Sequence, residues 1–103
     1  MAFVLDTVMD QTISSSTPAT GVNLQGYEHF SVLARLDGPA GSTVKMEVNN
    51  SGLLVATENI TLNAGGWFNF FKRYEIFAPF IGIVLYNPSA SMHVKMTVYA
   101  AGP

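Results

Sequence analysis

The sequence predicts an all-β fold, a two-sheet antiparallel β-sandwich of jelly-roll type with about seven or eight strands. Three observations point there. Turn-forming residues recur at short intervals, at Thr17-Pro18, Gly26, Asp37-Gly38-Pro39-Ala40-Gly41, Asn49-Asn50-Ser51-Gly52, Asn63-Ala64-Gly65-Gly66, Ala78-Pro79 and Asn87-Pro88-Ser89. They leave stretches of about 8 to 12 residues, the spacing of sandwiches and barrels, and few intervals are long enough for a helix. Between the turns, apolar and polar residues alternate with period two. No longer internal repeat is present that would imply a solenoid or propeller.

Residues 3–13 suit one long strand or two short ones. The Ser14-Ser15-Ser16-Thr17-Pro18 stretch after them reads as a loop between paired strands, because Ser, Thr and Pro favour turn backbone. Read instead as a linker, it would leave an arm able to swap between subunits. Over 30–37, Phe30, Val32, Ala34 and Leu36 share one face while Ser31, Leu33, Arg35 and Asp37 share the other. Residues 42–48 repeat the pattern, with Val44, Met46 and Val48 inward and Lys45 and Glu47 outward. Stretches 53–62 and 67–77 are strands with less regular alternation. The clearest case is 91–100, where Met92, Val94, Met96, Val98 and Ala100 alternate with Ser91, His93, Lys95, Thr97 and Tyr99.

Residues 80–86 break the rule, because Phe80, Val84 and Tyr86 make one face apolar and Ile81, Ile83 and Leu85 the other. A strand of this kind needs cover on both sides. In a sandwich the outer cover must come from a loop, a partner subunit or a ligand.

A chain of 103 residues suits a single domain spanning 1–103 with a normal core. Charged residues make up 12% of it, about half the usual share, which leaves few to keep an isolated monomer soluble. Five cations, scattered as Arg35, Lys45, Lys72, Arg73 and Lys95, cannot form the basic stripe that nucleic-acid binding requires. The absence of cysteine removes disulfides, thiolate catalysis, zinc fingers and iron–sulfur clusters. Residues 1–10 lack a basic n-region and carry Asp6 and Asp10, so they are expected to be mature protein rather than a signal peptide. No run reaches the eighteen or so apolar residues of a membrane span. The compartment stays open.

Catalytic motifs are absent: there is no G-x-S-x-G elbow, Walker loop, dinucleotide fingerprint or H-E-x-x-H pair. Gly38-Pro39-Ala40-Gly41 is a turn, since Pro39 removes an amide that a phosphate cradle would need. His29 and His93 fall in different strands without metal-ligand spacing, and Glu28 beside His29 points to the opposite face. Asn49, Asn50 and Asn63 sit where turns want Asn for backbone reasons, so no calcium loop is inferred. Neither a metal nor a cofactor is implied, and no catalytic residue is assigned. An enzymatic alternative, a small hydrolase or isomerase, would have to use His29, His93 and an acid.

The aromatic block Trp67-Phe68-Asn69-Phe70-Phe71-Lys72-Arg73-Tyr74 carries the most information. Strand geometry places Trp67, Asn69, Phe71 and Arg73 on one face and Phe68, Phe70, Lys72 and Tyr74 on the other. Lys72 and Arg73 are expected to pair across strands with acids such as Glu47 or Glu58. Two functional readings follow. The first is a non-enzymatic, self-associating sandwich with a structural or surface-display role, its interface formed by Phe68, Phe70, Ile81, Ile83 and Leu85. A homotrimer is expected by analogy with jelly-roll assemblies. The second is a carbohydrate-binding module in which Trp67, Asn69, Tyr74 and Tyr86 supply ring stacking and hydrogen bonds.

Overall fold

Period-two strands form ladders wherever turns return the chain on itself. In the computed structural model, which describes residues 3–63 and 66–101, they do so as one long antiparallel hairpin rolled around itself. Among the described residues the strands are β1 (Phe3–Ile13), β2 (Thr17–Pro18), β3 (Val22–Asn23), β4 (His29–Asp37), β5 (Thr43–Asn50), β6 (Leu53–Thr61), β7 (Trp67–Glu75), β8 (Phe80–Tyr86) and β9 (Met92–Ala101). No helix occurs among these residues, so none is long and apolar enough to cross a membrane. Of the turn expected at 63–66, Ala64 and Gly65 lie outside the described residues.

Strands pair from the hairpin tip outward: β5 with β6, β4 with β7, β2 and β3 with β8, and β1 with β9. Rolling adds the β4–β9 and β5–β8 ladders. The result is a four-stranded sheet in the order β1-β9-β4-β7 facing a second sheet in the order β2-β8-β5-β6, with β3 also on β8. This is a jelly roll of eight strands whose second strand is broken into β2 and β3. The tip is a two-residue turn in which Ser51 and Gly52 have φ of 51° and 85°. Two positive φ values are what a tight hairpin with right-handed strand twist demands, and glycine adopts one of them without steric cost.

The core lies between the sheets. Phe30, Val32, Ala34 and Leu36 of β4 face Val44, Met46 and Val48 of β5, with Val94, Met96 and Val98 of β9 beside them, all nearly inaccessible. Truncating a fully buried member such as Met46 or Leu36 to alanine costs about 2–5 kcal/mol. Ile81, Ile83 and Leu85, expected at a subunit interface, belong to this same core. They are the inner residues of β8, flanked by β2 and β5, so the opposite sheet covers them. Phe68 and Phe70 correct the same expectation, since both turn inward and pack half-buried against the core from edge strand β7. The outer face of β8 carries Phe80, Gly82, Val84 and Tyr86 instead.

Two local features shape the edges. In β1 the register against β9 shifts between Thr7 and Met9. The extra residue lets Val8 and Met9 both enter the core, and the Val8 carbonyl accepts from the Thr20 amide at 2.9 Å, as expected of a β-bulge. On the opposite flank, β6 and β7 meet edge to edge across the sandwich. There the Tyr74 hydroxyl donates to Glu58 Oε2 at 2.8 Å and Lys72 Nζ reaches the same oxygen at 2.9 Å. The Lys72 pairing expected within a sheet thus joins the two sheets.

At the tip end, buried Asn50 organises residues 76–80. Its amide nitrogen donates to the carbonyls of Ala78 and Phe80, and its Oδ1 accepts from the amides of Phe77 and Ala78. The segment so fixed holds out Phe77, which is 70% exposed.

Candidate functional site

Because side chains alternate along each strand, register alone assembles the outer face of the four-stranded sheet. Asp37 stands opposite His93 on one side and Trp67 on the other, and Thr12 lies beyond His93. The next row is Asp10, Lys95, Arg35 and Asn69, and the third is Thr7, Thr97, Leu33 and Phe71. A fourth holds Leu5, Tyr99, Ser31 and Arg73. Neighbouring strands are about 4.8 Å apart and alternate residues about 6.7 Å apart along a strand. Trp67, Arg35, Asn69, Asp37 and His93 therefore form one continuous patch.

Trp67, 46% exposed, sits at the start of edge strand β7. The Arg35 guanidinium lies 5.1 Å from its ring centroid, and the His93 ring meets it edge-on at 5.6 Å between centroids. Arg35 Nε donates to Asn69 Oδ1 at 3.3 Å, tying the guanidinium to the neighbouring strand. His93 is held from β1, with Asp10 Oδ1 2.8 Å from Nε2 and the Thr12 hydroxyl 3.2 Å from Nδ1. In a neutral ring Nε2–H donates to Asp10, leaving Nδ1 to accept from Thr12. The indole is thus clamped by a cation over its ring and an imidazole at its side, a preorganised aromatic platform with amide and carboxylate groups close by. The third and fourth rows add an apolar band, in which Phe71 is 63% and Leu5 58% exposed. Phe71 and Tyr99 rings stand 6.5 Å apart in that band.

Of the four residues expected to bind ligand, Trp67 and Asn69 come together on this face. Tyr74 does not: it is 8% exposed and stacks on Phe30 with centroids 5.3 Å apart. Burial raises its pKa well above the usual tyrosine value, and the hydrogen bond to Glu58 and that residue's negative charge raise it further. The phenol is therefore a structural donor. Tyr86 lies on the outer face of the other sheet, with Lys45 Nζ 5.5 Å from its ring centroid.

Sequence reasoning missed Arg35, Asp37 and His93 as neighbours of Trp67. Their outward parity was visible, but which strands lie side by side was not. His29 and His93 do not converge. His93 is opposite Asp37 and His29 is eight residues back along β4, which separates them by about 27 Å. Thr12, His93 and Asp10 form a hydroxyl–imidazole–carboxylate chain, but its acid and imidazole are 54% and 39% exposed, where such pairing is weak. Its geometric effect is to orient His93 against Trp67. Among the described residues, no three His, Asp or Glu side chains are grouped to share a metal ion.

No family model matches the chain, and no curated protein matches it in sequence. Solved structures do match in fold. The CBM1 carbohydrate-binding module of BiXyn10A superposes with a TM-score of 0.60 at 11% identity, covering 82% of this chain and 62% of that one. The infectious bursal disease virus VP2 subviral particle gives 0.59 at 14% identity, covering 96% of this chain and 32% of that one. The carbohydrate-binding module CBM6cm-2 of Cellvibrio mixtus lichenase 5A, in complex with cellotriose, gives 0.56 at 14% identity, covering 93% and 85%. At these identities the likeness defines a class, the jelly-roll β-sandwich, which serves both binding modules and capsid domains.

Proposed function

We propose that the protein is a non-enzymatic binding module that takes a carbohydrate on the outer face of its four-stranded sheet. One observation carries the reading: the exposed Trp67 ring, clamped by Arg35 and His93, stands beside Asn69 and Asp37. A pyranose presents an apolar C–H face that packs on an aromatic ring, and equatorial hydroxyls that suit planar amide, carboxylate and guanidinium groups. Holding the ring beforehand lowers the ordering cost of binding. The carbohydrate-binding modules of like fold are consistent with this use.

Trp67 is the chain's single tryptophan, so its emission reports on the site without a label. Titration with neutral oligosaccharides is expected to shift that emission saturably, and Trp67→Ala to weaken binding at this face about tenfold or more, followed at the Arg35 and Asn69 amides, while the protein stays folded. A glycan array without binding, together with emission indifferent to every sugar, refutes the reading.

The apolar band of Leu5, Leu33, Phe71 and Tyr99 favours a second reading, self-association through this same face with a structural or display role. A trimer remains the specific form of that reading. Light scattering over a concentration series tests it: a stable multiple of 11.1 kDa that Phe71→Arg breaks down to monomer supports it, and a monomer throughout refutes it.

A further inference from the structure

We propose that a groove on the outer face of the five-stranded sheet is a second binding site, specific for short neutral oligosaccharides. It stands on residues separate from the Trp67 face and does not rest on that reading. Register places Tyr86, Lys45 and Asn59 side by side across β8, β5 and β6. Thr43 and Thr61 are paired one row away on β5 and β6, and Asn87 follows Tyr86 at the end of β8. Together these line a cavity of about 300 Å³, at the small end of ligand sites and fit for one or two sugar rings.

The lining matches that ligand in three respects. Tyr86 supplies a half-buried aromatic ring whose position is held by the Lys45 ammonium above it. The exposed side chains of Thr43, Asn59 and Thr61 turn two hydroxyls and one amide to solvent, groups that donate and accept alike, as sugar hydroxyls do. Charge argues for a neutral ligand: Lys45 is the only ionisable cation or acid among the lining residues, and Glu47 Oε2, 3.4 Å from its Nζ, offsets it. The groove opens on the opposite side of the sandwich from Trp67, so occupancy of both sites would let one chain bridge two glycans.

The test is a ¹⁵N-HSQC titration of the whole chain with neutral trisaccharides built from glucose, xylose, mannose and galactose. At least one is expected to give saturable shifts at Thr43, Lys45, Asn59, Thr61 and Asn87 amides. Tyr86→Ala, and independently the exposed Asn59→Ala, are expected to weaken that binding about tenfold or more, while Trp67→Ala leaves it unchanged. The proposal is overturned if no trisaccharide shifts these amides, if shifts appear only around Arg35 and Asn69, or if they survive both substitutions. Because Trp67→Ala and Tyr86→Ala report on different amides, loss of one site is distinguishable from loss of the other.

Discussion

Asn50→Ala tests how far one buried side chain supports the tip of the jelly roll. Asn50 is 2% exposed and makes four hydrogen bonds to the backbone of 77–80. A net contribution of about 0.5–1.5 kcal/mol each gives about 2–6 kcal/mol. Two circumstances pull the figure down: the Phe80 carbonyl keeps a second donor, the Ser51 amide at 2.7 Å, and exposed Phe77 shows that water reaches the segment. The expected loss is therefore about 3 kcal/mol, or about 12–24 °C in Tm for a domain this size. Urea unfolding gives the energy, and amide hydrogen exchange localises it. Phe77 and Ala78 amides should lose protection while Val32 and Val98, in the middle of the four-stranded sheet, keep the protection set by global stability. A loss under about 1 kcal/mol with Phe77 and Ala78 still protected would refute the assignment of Asn50 as the anchor.

Further perturbations probe other links of the argument. Tyr74→Phe removes the donor to Glu58 and should cost about 1–2 kcal/mol at neutral pH, less than a full charged hydrogen bond because Lys72 still satisfies the carboxylate. The same phenol predicts an alkaline limb: its folded pKa is raised, so its stabilisation is complete below the unfolded value near 10 and is lost as pH rises beyond it. Thermal melts from pH 8 to 11.5 should show a shallower decline for Tyr74→Phe than for the parent, and equal slopes would contradict the linkage. Gly38→Ala should destabilise by about 1–2 kcal/mol, since the new Cβ would stand 3.1 Å from Met92 Cβ and 3.5 Å from the Ser91 carbonyl; a neutral effect in urea would show that this corner yields freely. Trp67→Ala, on an exposed edge, should change stability by no more than about 1 kcal/mol while reducing sugar affinity at least tenfold, and circular dichroism beside the binding assay separates the two.

Parity was the legible part of this fold. In β4, β5 and β9 one side of each strand is polar, so the inner faces could be named before any pairing was known. β7 and β8 defeated the same reasoning for a definite physical reason. When Trp67 and Phe71 alternate with Phe68 and Phe70, hydrophobicity no longer says which face is inside, and only the pairing of Leu36 with Phe68 settles it. Tyr74 was misjudged as a ligand contact because an amphipathic ring suits a surface as well as a core; its partner Glu58 is local only after the sheets have closed. The Trp67 clamp was hidden for a related reason, since Arg35, His93 and Asp10 come from three other strands and carry no spacing rule. Even so, Asn69 could be placed beside Trp67 from the sequence, because two residues of one strand share a face.

The bulge at Val8 divides β1 into two reading frames. Upstream, odd-numbered Leu5 and Thr7 look outward; downstream, even-numbered Asp10 and Thr12 do, and it is this second frame that brings Asp10 and Thr12 to His93. Within residues 5–13 the buried positions are Val8, Met9 and Ile13 and the others are exposed, so a residue-by-residue scan with lysine should be rejected at those three, two of them adjacent at the bulge. Deleting Val8 would remove the extra residue and leave one regular ladder, in which Thr7 still faces Thr97 and Asp10 still faces Lys95, so the imidazole beside the tryptophan should keep both of its supports while the strand loses one buried side chain and the carbonyl that accepts from Thr20.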